Sequence, residues 1–237
     1  MLSDWTAYFW PQIVAPWTLR VGIFNLPWFF VALQVLRPLG KYGVWVVLTL
    51  ASLWVTVRVA RSLGLPAWKQ VMVLLSPPVV WGIFMGQFDG LFLAAYIAPP
   101  ALSMFLILSK PQVCAGAAIT TVRRDWRTVI LALVLVISAW WIWNWPFACE
   151  NPPSGGPFTD LPAWNWAYGI WPWSFLLLPL LRTRRGQLLL SPFLFPYAGV
   201  QSMIGPMLVV ATWPGWAFVI IWLASWVRWM GMVRLIG

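Results

Sequence analysis

Long apolar runs, separated by short breaks that carry Arg, Lys or Pro, set the character of this chain. The stretch 128–147 crosses 20 positions without a Lys, Arg, Asp or Glu. At about 1.5 Å of rise per residue, a helix of that length covers the roughly 30 Å of bilayer hydrocarbon. The pattern recurs and predicts eight or nine apolar helical segments, at about 23–37, 42–60, 68–84, 90–108, 111–122, 128–147, 166–181, 186–211 and 213–230. The expected fold class is therefore all-α, a polytopic integral membrane protein with a single transmembrane domain over 1–237. An outer N-terminal loop (1–22) and an outer polar loop (148–165) would flank the spans. Several segments hold proline, notably Pro77-Pro78, Pro99-Pro100, Pro192, Pro196 and Pro206. Proline frees a backbone carbonyl, so some segments are expected to be kinked, broken or re-entrant. The segment at 111–122 is too short to cross without tilt or thinning of the bilayer.

Composition agrees with lipid as the solvent. Charged residues make up 8% of the 237 and hydrophobic residues 62%, too little polar surface for a water-soluble domain of this size. The net charge of +10 does not point to nucleic acid, because the cations fall in small groups between apolar runs, as orienting loops do. With the N-terminus outside and nine alternating segments, the inner loops hold Arg37, Lys41, Arg123, Arg124, Arg127, Arg182, Arg184, Arg185, Arg228 and Arg234. The outer side holds Arg20, Arg58, Arg61, Lys69 and Lys110. That threading places Asp4 outside and Asp89 near the inner surface, with localisation in a prokaryotic cell membrane. No cleavable signal peptide is expected from residues 1–10. The 22 tryptophans fit interfacial belts around the polar loop, at Trp140, Trp141, Trp143 and Trp145 and at Trp164, Trp166, Trp171 and Trp173. The clusters Arg123-Arg124-Asp125-Trp126-Arg127 and Arg182-Thr183-Arg184-Arg185 read as topology determinants that touch anionic headgroups.

The absence of histidine removes imidazole ligation and Ser-His pairing, and leaves acid–base work to five carboxylates. Cys114 lies in an apolar stretch and Cys149 in the polar loop, so a disulfide between them is not expected. No Gly-rich nucleotide-binding pattern is present.

Three stretches depart from generic transmembrane sequence. The first is Ser3-Asp4-Trp5-Thr6-Ala7-Tyr8, followed by Asn25-Leu26-Pro27. The second is Ser76-Pro77-Pro78 leading to Gly86-Gln87-Phe88-Asp89-Gly90. The third is Ser109-Lys110-Pro111-Gln112. Their order and spacing resemble the GT-C-type glycosyltransferases, in particular the polyprenyl-phosphate-mannose-dependent mannosyltransferases, and Ser191-Pro192 resembles a later Ser-Pro element of that family. The chain would be a shortened member.

The resemblance implies a membrane-embedded transferase that uses a polyprenyl-phosphate sugar donor at the extracytoplasmic face, with no other cofactor and no metal. Asp4 would be the catalytic base. Lys110 would hold the lipid phosphate, with Arg20, Arg58, Arg61, Tyr8 and Gln112 as further substrate-binding residues. Gln87, Asp89 and Asn25 would be structural members of the motifs, Asp89 in a hydrogen-bonded turn. Membrane lipids and polyprenyl phosphate are the expected partners. The alternative is a non-catalytic, Trp-rich integral subunit, a scaffold that partners other membrane subunits in a larger complex.

Overall fold

The structure is a computed structural model that describes residues 4–17, 25–144, 166, 170–195 and 198–234. Every regular element among the described residues is helical. A π-helical turn, Trp5–Phe9, leads into α1 (Trp10–Val14), and α2 (Pro27–Leu33) continues through a 3-10 stretch, Gln34–Leu39, to α3 (Gly40–Ser62). Then follow α4 (Ala67–Leu74), α5 (Pro77–Met85), α6 (Asp89–Phe92) with the 3-10 stretch Leu93–Tyr96, α7 (Pro100–Ser109), α8 (Pro111–Cys114) and α9 (Ala117–Arg124). The chain ends with α10 (Arg127–Trp143), α11 (Trp171–Ser174), α12 (Arg184–Leu190), α13 (Ile204–Val210) and α14 (Gly215–Arg234), interleaved with 3-10 segments.

The prolines start helices more often than they bend them. Pro27, Pro77, Pro100 and Pro111 each occupy the first turn of their helix, where the missing N–H has no intrahelical partner to lose. The stops are equally local. Gly86 ends α5 at φ 77° and ψ 29°, and Asn144 ends α10 at φ 53°, the left-handed cap that Gly and Asn supply most readily. Lys110 ends α7 at φ −147° and ψ 73°, outside the α region that a following proline disfavours.

These stops divide the apolar runs into pieces of unequal reach. Among the described residues, the continuous run Pro27–Ser62 is the one long and apolar enough to cross a membrane, and α4 with α5 makes a second if that pair, bent by 43°, is one span. Gly40, at φ 70° and ψ 171°, leaves helical geometry between the 3-10 stretch and α3. α3 alone has 23 residues, about 34 Å of helix. By contrast α5, α7 and α9 have 9, 10 and 8 residues and turn back on themselves. α5 reverses at 86–88 into α6, and α7 reverses through 110–116 into α9. The guanidinium of Arg124 donates to the carbonyl of Ala98 at 3.2 Å and closes the open end of this second hairpin.

The all-α expectation holds, and so does the expectation that some of the eight or nine apolar segments are broken. The runs at 68–84, 90–108, 111–122 and 186–211 are broken into short helices that double back or bend. The polar loop 148–165 lies outside the described residues, as do Cys149, Glu150 and Asp160.

The core is aromatic and surrounds the two hairpin tips. Phe88 packs against Phe9, Phe29 and Trp5 with ring centroids 5.2, 5.9 and 6.3 Å away. Close approach of backbones makes room for nothing larger than glycine at Gly90, where a Cβ would sit 2.5 Å from Ser52 Oγ and 2.9 Å from the Ser52 carbonyl of α3. A second buried polar group ties α12 to the rest. The Tyr96 hydroxyl lies 2.8 Å from Ser191 Oγ, which accepts from the Gly116 N–H at 2.9 Å and donates to the Gln187 carbonyl at 2.8 Å. Trp143, expected in an interfacial belt, is buried instead and donates from Nε1 to the Pro16 carbonyl at 2.8 Å.

The outer surface is apolar along whole helix faces. On α10, Val129, Ile130, Leu133, Val134, Ile137 and Trp141 are exposed, Trp141 by 83%, and on α14 the same is true of Trp216, Ile220, Leu223, Val227 and Met230. Faces of this kind are avoided by soluble monomers and mark contact with lipid or protein.

Candidate functional site

Four of the residues picked out in sequence meet in one polar group, in which Asp89 is buried and Asp4, Gln87 and Lys110 are half-buried. Gln87 is its hub. Its Nε2 donates to Asp4 Oδ2, and its Oε1 accepts from Lys110 Nζ at 3.3 Å. Lys110 Nζ also lies 2.8 Å from Asp89 Oδ1 in an ion pair, with side chains 13% and 3% exposed. Asp89 Oδ2 accepts from Ser202 Oγ at 3.0 Å. The side-chain amide of Gln87 therefore presents its donor to a carboxylate and its acceptor to an ammonium, the one orientation that satisfies both.

Each member is placed by a feature of local sequence. The left-handed Gly86 lets the chain reverse, and the Gln87 N–H closes the turn on the Gly82 carbonyl at 2.7 Å. Phe88 anchors the turn among aromatic rings, so that Gln87 and Asp89 face inward on either side of it. Lys110 stands at the break that Pro111 imposes between α7 and α8. Asn25, buried just before Pro27, donates from Nδ2 to the Ser109 carbonyl at 3.0 Å and holds the Lys110 tip against α2. Asp4 arrives on the turn Trp5–Phe9, fixed by the buried Trp5, whose Nε1 donates to the Lys41 carbonyl at 3.1 Å.

The group sits level with the middle of α3. A cavity of about 10 Å³ adjoins it, lined in part by Thr49, Ser52, Gln87, Asp89 and Gln201, with room for about one water.

Two expectations are overturned. Threading by alternation separated Asp4 from Gln87 and Asp89 across the bilayer, yet Asp4 and Gln87 are in direct hydrogen-bond contact. The alternation fails because α5 and α7 end at mid-depth of the bundle and reverse there. Arg58 and Arg61, expected to assist Lys110, are exposed toward the C-terminal end of α3. The neighbouring Ser62 receives a hydrogen bond from Arg184 Nη2 at 2.9 Å, which joins two groups of cations assigned to opposite sides.

Tyr8 is exposed on the N-terminal turn, and Gln112 is half-buried in α8 beside Lys110. Arg20 lies outside the described residues. Asp89 opens α6 just after the 86–88 turn, and its carboxylate bonds the distant Ser202 and pairs with Lys110.

Sequence reasoning missed one participant and, elsewhere in the fold, one buried cation. Ser202 comes from a 3-10 turn 113 positions away from Asp89 and carries no motif that marks it. Lys69, assigned to an outer loop, is buried, with Nζ donating to the carbonyls of Ala211 at 2.9 Å and Trp213 at 2.6 Å and lying over the rings of Trp68 and Phe218. Its position inside an apolar helical run was the available signal. No group of three or more metal-ligating side chains occurs among the described residues. No protein-family profile, curated protein or solved structure matches the chain.

Proposed function

We propose that this chain is a polytopic helical membrane protein of the GT-C type, whose Asp4–Gln87–Lys110–Asp89 group is the centre of a sugar transferase acting on a polyprenyl-phosphate donor at the extracytoplasmic face. The observation that supports this reading is convergence. Residues from three separate motifs, more than 100 positions apart at the extremes, come together as an acid and a cation bridged by one amide. The exposed apolar faces of α10 and α14 support the membrane setting. Charged side chains at mid-depth of such a bundle are costly and mark functional sites.

The chemistry asks for little more. As the acceptor hydroxyl attacks the anomeric carbon, its proton passes to the Asp4 carboxylate. The new glycosidic C–O bond forms while the bond from the anomeric carbon to the phosphate oxygen breaks, and the electron pair leaves with the phosphate. Lys110 faces the charge that builds there. Gln87 holds the two groups at a fixed separation, and Asp89 orients Lys110. The donor enters sideways from lipid, so no nucleotide fold is required.

The scaffold reading draws on a different observation. The Lys110 ammonium is already paired with Asp89, and the adjoining cavity holds about one water, as in a polar group that locks helices together. One experiment separates the two. The purified chain, reconstituted in vesicles with a radiolabelled polyprenyl-phosphate mannose and a hydroxyl acceptor, is compared with Asp4→Asn and Lys110→Met. Transfer by the wild type and its loss in a folded Asp4→Asn protein supports the transferase. Transfer undiminished in Asp4→Asn removes the proposed base. No turnover, with stoichiometric copurification of other membrane subunits, establishes the scaffold.

A further inference from the structure

The contacts at one end of the molecule gather arginines that lie far apart in sequence. Arg184 donates to Ser62 at the end of α3, next to Arg61 and one turn from Arg58. Three residues beyond Arg184, the Gln187 carbonyl accepts from the Tyr96 hydroxyl at 3.1 Å. Two residues beyond Tyr96, the Ala98 carbonyl accepts from Arg124, which brings Arg123 and Arg127 to the same end. Arg182 and Arg185 flank Arg184. All of these are exposed except Arg184, which is half-buried. The exposed cations of this end are all arginine, and Asp125 is the one carboxylate among them in the described residues. Its Oδ1 accepts from the backbone N–H of Arg127 at 3.0 Å.

We infer that this end is a docking face for the phosphate headgroups of acidic phospholipids in one leaflet. Guanidinium presents a rigid fork that matches phosphate oxygens in pairs, which an ammonium does not. The position of the arginines selects lipid over nucleic acid. Trp126 stands among them 65% exposed, and the apolar face of α10 begins at once with Val129 and Ile130. A ring of cations bordering an exposed apolar band fits the boundary between headgroup and hydrocarbon, with the aromatic ring at that boundary. A nucleic acid would meet a greasy wall one turn away. Net charge complements the anionic leaflet surface, where each basic side chain contributes roughly 1 kcal/mol, about a fivefold preference. The inference rests on the membrane reading proposed above, but not on the transferase chemistry.

The test uses the full chain reconstituted in vesicles of phosphatidylcholine alone or with a graded fraction of phosphatidylglycerol. Native mass spectrometry reads the retained lipid. The wild type should retain phosphatidylglycerol over phosphatidylcholine by tenfold or more beyond its fraction in the vesicle, by the constant above for two or more engaged arginines. The triple variant Arg123→Gln, Arg124→Gln, Arg127→Gln should lose most of that preference. The exposed pair Arg58→Gln, Arg61→Gln should lose a smaller part and provides a second route should the triple variant not fold. Equal retention of both lipids by the wild type overturns the inference, as does a preference unchanged in either variant. Tighter binding to an RNA or DNA duplex than to phosphatidylglycerol vesicles overturns it too. Failure to insert into phosphatidylcholine vesicles would instead refute the membrane reading, which keeps the two failures apart.

Discussion

The ion pair between Lys110 and Asp89 invites a direct test, because the structure specifies what each substitution leaves behind. At 2.8 Å and an effective dielectric of about 20, the two charges attract by roughly 6 kcal/mol, most of it offset by the desolvation each suffers. Asp89→Asn removes one charge and leaves the ammonium with the Gln87 Oε1 contact at 3.3 Å. Lys110→Met leaves the carboxylate with the Ser202 hydroxyl at 3.0 Å. Each single substitution is expected to destabilise by about 3–5 kcal/mol, because it strands a buried charge. The double variant strands neither, so its loss should fall below the sum of the singles by at least about 2 kcal/mol. Equilibrium unfolding in mixed micelles at increasing SDS fraction measures all four proteins. Additivity within about 0.5 kcal/mol would refute the direct pairing, and singles that lose less than about 1 kcal/mol would refute the burial.

Two further predictions bear on the packing beside that pair and on the basic end of the fold. Gly90→Ala places a methyl 2.9 Å from the Ser52 carbonyl and 2.6 Å from Thr56 Oγ1; a loss of about 1–3 kcal/mol is expected in the same unfolding assay, and adding Ser52→Ala should recover only the part due to the hydroxyl, since the backbone oxygen stays. Single cysteines replacing Arg61 and Arg185, in a background without Cys114 and Cys149, should react with an impermeant maleimide from the same side of sealed vesicles, because Arg184 bonds Ser62; labelling from opposite sides would refute the shared basic end.

The all-helical class was legible in the apolar runs, and the polar group was legible as a list of residues. Asp4, Gln87, Asp89 and Lys110 each stand in a stretch that breaks generic transmembrane sequence, and Asn25 does so with them. The threading put Asp4 and Lys110 on one side; that Gln87 and Asp89 join them was not legible, because alternation assumes that every apolar run traverses the bundle. The marks of reversal were nonetheless present. Gly86 and the pair Lys110-Pro111 are helix stops with clear stereochemical causes, and each precedes the turn that brings its motif inward. Arg58 and Arg61 were misplaced by the same counting error. Ser202 could not have been found at all, since a serine in a short 3-10 turn has no periodicity to announce it, and only tertiary packing brings it to Asp89.

In the membrane setting proposed above, the head-to-head meeting of two hairpins has a consequence for biogenesis. Residues 77–96 and 100–124 each carry one ion at the apex, and their shafts are too short to expose that apex to water beyond the far side of a bilayer. Either hairpin sinking alone into hydrocarbon would drag a bare ion with it. In that setting the first would linger at the aqueous boundary until the second has been synthesised, and the arrival of Lys110, rather than of any apolar run, would allow Asp89 to be buried.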